Sequence, residues 1–148
     1  MKTNKASYGE KAVSCFKKGF NCAQCVLVTM QEFWKIEHPL EPKAASAFGG
    51  GIGMRGSLCG ALTGGIIAIG LKFGSNEPKS IEREEAYMLA SKFYTRFEKE
   101  SGSLFCRDLI GINLTNPKEL ETARKSNIFQ SKCTYFIEKA IEILTNLK

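Results

Sequence analysis

Fourteen nearly apolar residues, Leu58 to Leu71, form the longest such run in the chain and constrain its fold most. About 20 would be needed to cross a bilayer, so the run reads as a buried helix around which the rest must pack. In isolation Ile66 to Leu71 is also compatible with a strand. The surrounding pattern is helical nearly throughout. Tyr8, Ala12, Cys15 and Phe16 share one face of a first helix ending near Gly19. Asn21 is an N-cap for a second, whose inner stripe is Ala23, Val26, Leu27, Met30, Phe33 and Trp34. Pro39 and Pro42 break the chain, and Pro42 can open a short helix through Phe48. Gly49 to Gly56 is a loop, and Ser57 is the expected cap of the central helix.

The second half continues the pattern. Ser80 caps a helix with acidic residues in its first turn and a core stripe of Ala86, Leu89, Ala90, Phe93, Tyr94 and Phe97, ending at Ser101-Gly102. Ser103 begins a short helix closed by Gly111. Asn116-Pro117-Lys118-Glu119 reads as a cap, a first-position proline and a reciprocal glutamate. A last helix turns Cys133, Phe136, Ile137, Ala140, Ile141 and Leu144 inward. The expected fold is all-α, a helical bundle of about five main helices plus short ones, with residues 1–148 forming one domain.

Composition narrows the functional classes. With 43% hydrophobic and 24% charged residues the chain is ordinary globular material, not a disordered or fibrous one. The net charge of +6 is spread without a basic block, which argues against nucleic acid and leaves an acidic protein partner as the expectation. Met1 to Glu10 shows no apolar signal core, so a cytoplasmic location without membrane insertion is expected. Association into a homo-oligomer is compatible with the sequence.

Six cysteines and one histidine, His38, set the available chemistry. A single imidazole excludes a site built from several histidines in one chain. Cys22, Cys59, Cys106 and Cys133 each fall in the first turn of an expected helix, the last behind Ser131 as cap. There, unpaired N–H groups and the helix dipole favour a thiolate. Cys15 lies late in its helix on the apolar face and reads as core. Cys22-Ala23-Gln24-Cys25 is a C-x-x-C pair at a helix start, which makes Cys25 a candidate resolving thiol. Val26 stands where haem attachment would require histidine. No second compact pair completes a zinc ribbon.

Gly51-Ile52-Gly53-Met54-Arg55-Gly56 matches G-x-G-x-x-G literally. A dinucleotide site also needs a preceding strand and a βαβ unit, and neither is expected. Close backbone approach is the better reading, with Gly60, Ala61, Gly64, Gly65 and Ala68 clearing space around Cys59. Arg55 and Arg107 are candidates for compensating negative charge.

Asn21-Cys22-Ala23-Gln24, Gly49-Gly50-Gly51, Cys59-Gly60-Ala61-Leu62-Thr63-Gly64, Cys106 and Cys133 together resemble the small redox-active proteins named for their C, GCAxxG, C, C pattern. The resemblance covers about positions 8 to 140. It implies a helical protein with a redox role and picks Cys22, Cys59, Cys106 and Cys133 as its characteristic cysteines, with Cys15 and Cys25 as additions. A related helical domain occurs in split-Soret cytochromes, which carry haem and an iron–sulfur centre; with no attachment motif and only His38, haem is not expected here. Three functions stay open. The four cysteines hold an iron–sulfur cluster for electron transfer; or Cys22, Cys25 and Cys59 act in thiol–disulfide exchange with a redox partner protein; or the chain is a non-enzymatic, zinc-binding or transporter-associated module. The first two make the chain an electron carrier or an oxidoreductase.

Overall fold

A computed structural model describes residues 4–148; Met1 to Thr3, part of the segment read for a leader, lie outside the described residues. Among the described residues seven α-helices follow one another: α1 (Lys5–Lys17), α2 (Cys22–Phe33), α3 (Gly60–Phe73), α4 (Ile81–Ser101), α5 (Cys106–Ile110), α6 (Pro117–Lys125) and α7 (Thr134–Thr145). A 3₁₀ turn over Pro42–Phe48 follows α2, and a π-helical turn over Phe129–Cys133 leads into α7. Among the described residues no strand forms, and no helix is long and apolar enough to cross a membrane.

The apolar run forms α3, and α2, α4 and α7 pack around it. Glycine lets them approach. A Cβ at Gly64 would collide with the Ala23 carbonyl on α2, and one at Gly65 would come within 2.5 Å of Phe93 on α4 and 2.9 Å of Leu144 on α7. Ala61, Leu62 and Ala68 are fully buried between these contacts. Helix α1 lies across α2 and α7, with Ala12 buried beneath it and Tyr8 meeting Phe33 edge-on at 5.1 Å. Burial of this kind contributes about 25 cal/mol per Å² of apolar surface, so the position of α3 is set by packing on three sides.

The helix ends follow local chemistry. Asn21 and Gln24 form a reciprocal capping box at 2.9 and 3.0 Å. Asn21 Nδ2 also donates to the Ser46 carbonyl, and Gln24 Nε2 to the Ser46 hydroxyl and the Pro42 carbonyl. The start of α2 is thereby tied to the 3₁₀ turn. Ser80 accepts from the Arg83 N–H, and Gly102 and Gly111 close α4 and α5 in the left-handed conformation.

Four expectations need correction. Ser57 does not cap the central helix. Ser57 to Cys59 is extended and Leu58 pairs antiparallel with Phe105, so α3 starts at Gly60 with Cys59 as its N-cap. Tyr94 is exposed rather than core. Glu119 reaches past Asn116 and accepts from the Asn113 N–H at 2.7 Å. The last helical stretch begins earlier than expected: Cys133 has φ −64° and ψ −34°, so the π turn and α7 are continuous and Cys133 is not at a free N-terminus. Ser131 donates to the Ile128 carbonyl instead of capping.

Candidate functional site

Four segments distant in sequence meet at the N-terminal ends of α2 and α3. Cys22 opens α2, and its Sγ fills the space where a Gly60 Cβ would stand, 2.5 Å away. Gly60 is therefore needed to bring the two helix starts together. Cys59 and Cys106 flank the Leu58–Phe105 bridge, where the Cys59 N–H donates to the Leu104 carbonyl at 2.8 Å and the Cys106 N–H to the Ser57 carbonyl at 2.7 Å. Two backbone bonds thus fix these cysteines relative to one another. Cys133, from the π turn, packs with Met54 and Phe129 against buried Cys106 and Ile110.

The loop behind Cys106 is strained. Five successive residues, Gly50, Gly51, Ile52, Gly53 and Met54, have φ between 56° and 70°, and Gly56 nearby has φ 71°. A β-branched residue such as Ile52 rarely tolerates this region. The strain is held by unusual long turns, with the Gly56 N–H donating to the Gly50 carbonyl at 3.0 Å and the Ser57 N–H to the Gly51 carbonyl at 2.8 Å. At Gly51 a Cβ would lie 2.7 Å from the Cys106 Cβ and 2.6 Å from the Ser57 nitrogen. This segment could be read in the sequence as a loop, but nothing in Ile52 or Met54 signals a left-handed course.

The electrostatics show that the sulfurs are neighbours. Burial raises all four thiols above their ordinary range. Cys59 is pushed well above it by burial, and also by charge repulsion from Cys22, Cys106 and Cys133. Cys106 is pushed up to about 12 by burial and then by Cys22. Cys133 is pushed up to about 12 by burial, Cys22 and Cys106. Opposing this, N–H groups of Cys22, Ala23, Gly60 and Ala61 favour the Cys22 thiolate, and that of Ala61 favours Cys59. N–H groups from two helix N-termini therefore favour the Cys22 thiolate, but desolvation outweighs them. The expectation that first-turn positions would acidify these thiols is corrected by that balance.

The sequence profile of the family described as "Putative redox-active protein (C_GCAxxG_C_C)" matches residues 20–147. The chain belongs to that family. No curated protein and no solved structure matches it. In this C_GCAxxG_C_C protein the four cysteines named from the sequence are the four free ones, and they come together. Cys25 does not join them. It is bonded to Cys15, Cα to Cα 5.6 Å, which corrects both the Cys22/Cys25 pairing and the reading of Cys15 as an unbonded core residue. Cys25 points from α2 toward α1, where Cys15 stands in the last full turn, and so away from the α3 contact made by Cys22. Arg55 and Arg107 are both exposed, and the Arg107 guanidinium lies over the Phe105 ring at 5.3 Å. Ser57, Gly51 and the N–H groups of Gly60 and Ala61 complete the site. Of these the C-G-A stretch and Gly51, within Gly49-Gly50-Gly51, carried a sequence signal, and Ser57 was read only as a helix cap.

Proposed function

We propose that Cys22, Cys59, Cys106 and Cys133 form one iron–sulfur site and that the chain is an electron carrier. The observation that carries this reading is the convergence of four free cysteines, Cys59 and Cys106 buried and Cys22 and Cys133 partly so, with the thiols of Cys59, Cys106 and Cys133 raised by burial and by the charge of others in the set. Four clustered thiolates are unstable in a buried setting without a positive centre to bind. Among the described residues no group of three His, Cys, Asp or Glu side chains is arranged to hold a single metal ion. A polynuclear cluster joins its thiolates through bridging sulfide and so does not require all four to meet at a single ion. The all-cysteine donor set fits such a cluster by softness. Held there, it would supply reversible one-electron transfer.

The chain's own residues do the rest. Cys22, Cys59, Cys106 and Cys133 would act as ligands, and the bridge between Leu58 and Phe105 keeps two of them in register. The N–H groups of Ala23, Gly60 and Ala61 favour the charged form of the Cys22 sulfur and would raise the potential of a bound centre. The packed walls of α2 and α3 limit water. The net charge of +6 suits an acidic redox partner. Thiol–disulfide exchange by these four is less well supported, because an effective attacking thiol has its pKa near ambient pH and burial pushes all four of these up from their ordinary value. Anaerobic purification with iron and acid-labile sulfide assays tests the proposal. Iron and sulfide together are expected; a metal-free protein after anaerobic reconstitution would overturn it.

A further inference from the structure

The Cys15–Cys25 bond joins α1 to α2 outside the four-thiol site, and its two sulfurs are unequal in access. Cys25 is 0% exposed, whereas Cys15 is half-buried and lines a surface groove of about 280 Å³ together with Lys11, Ser14, Lys18, Phe20 and Glu32. An attacking thiol can reach only Cys15. The two sulfurs are also unequal in their helices. Cys15 stands in the last turn of α1, where the dipole disfavours negative charge, and Cys25 is the fourth residue of α2, whose N-terminal end favours it. The accessible sulfur is thus the one to be attacked, and the enclosed one is the better leaving group.

We infer that Cys15–Cys25 is a second redox site, a disulfide that accepts two electrons from a protein dithiol docking at the groove beside Lys18 and Phe20. In the first step a partner thiolate attacks Cys15 Sγ. The partner–Cys15 bond forms, the Cys15–Cys25 bond breaks, and the electron pair leaves with Cys25, which takes up a proton. In the second step the partner's other thiolate attacks its own sulfur in the mixed disulfide and releases Cys15, which is protonated in turn. The partner becomes a disulfide, Cys15 and Cys25 become thiols, and two electrons and two protons have moved. Exposed Phe20 and the ammonium of Lys18 give the groove an apolar and a cationic element for a thiolate-bearing loop. Helix α1 does not depend on the bond for its position, since buried Ala12, the Tyr8–Phe33 contact and the Lys11–Glu32 pair also hold it.

The test treats the folded protein with a limiting amount of glutathione and, separately, with a reduced protein dithiol, followed by alkylation and peptide mapping. The expected result is a glutathione adduct on Cys15 in large excess over Cys25, and full reduction by the dithiol with the helical circular dichroism unchanged. Lys18→Glu, a surface change that leaves the fold intact, is expected to slow capture of the anionic thiol several-fold. Reduction only at denaturant concentrations that unfold the chain, or an adduct on Cys25 in place of Cys15, would overturn the inference. Each of these outcomes leaves the iron–sulfur reading untouched, because none of the four thiols takes part.

Discussion

Gly60 and Cys22 share one space: the sulfur of the first residue of α2 lies 2.5 Å from where a Cβ at the first residue of α3 would be. Gly60→Ala is therefore expected to displace the Cys22 sulfur. Elsewhere at a helix start alanine would be neutral or stabilising, but overpacking costs about 1–3 kcal/mol. Urea unfolding should show that loss, and iron content after reconstitution should fall while the helical signal persists. Unchanged stability with full iron loading would show that the two helix starts can separate freely.

Gly51→Ala should act on the other side of the site. Gly51 has φ 70° and abuts both the Cys106 Cβ and Ser57, so a side chain there adds strain in a loop already left-handed over five residues. The expected loss is about 1–3 kcal/mol, measurable as a lowered urea midpoint. Gly53→Ala is the control, since nothing lies within 4 Å of its Cβ position; it should bear only the cost of its positive φ.

The thiols give the metal-free protein a pH dependence of definite sign. An unfolded cysteine releases its proton near 9, whereas folded Cys106 and Cys133 hold theirs to about 12. Between those values the unfolded chain binds fewer protons, so stability falls as pH rises. Their contribution is fully present below pH 9 and is progressively lost toward pH 12. Urea midpoints of the reduced, metal-free protein at pH 8, 9, 10 and 11 should decline through this window. Cys106→Ala should flatten the decline.

Much of this architecture was legible because it depends on local signals. The all-apolar stretch of α3, the Asn21 and Ser80 caps and the stripe Leu89, Phe93, Phe97 need only spacing and side-chain chemistry. The first-turn positions that singled out the four cysteines hold for Cys22 and Cys106, whereas Cys59 is an N-cap and Cys133 lies within a continuous helical stretch. What depended on long-range pairing could not be read. Leu58 pairs with Phe105 across 46 intervening residues, which turned the expected first turn of the central helix into an extended segment. Cys25 took Cys15 rather than Cys22 because α1 crosses that face of α2, a fact of packing. Thiol acidity also failed as a local inference, since N–H donors near Cys22 were visible in the pattern and the burial that overrides them was not.

Opening the Cys15–Cys25 link by Cys15→Ser should cost less than the fold can bear. The bond closes a loop of sequence separation 10, worth about 3 kcal/mol in chain entropy against a typical total of about 5–15 kcal/mol. Thermal unfolding should stay cooperative at a lower midpoint, and iron loading should match the parent. Loss of iron in this variant would tie the disulfide to the four-thiol site.

The most direct measurement of the central proposal is iron and acid-labile sulfide content of anaerobically reconstituted protein, compared among the parent, Cys59→Ser and Cys15→Ser. Iron with sulfide in the parent and Cys15→Ser, and its loss in Cys59→Ser, is the expected result. Zinc alone in the parent, or iron retained in full by Cys59→Ser, would contradict it.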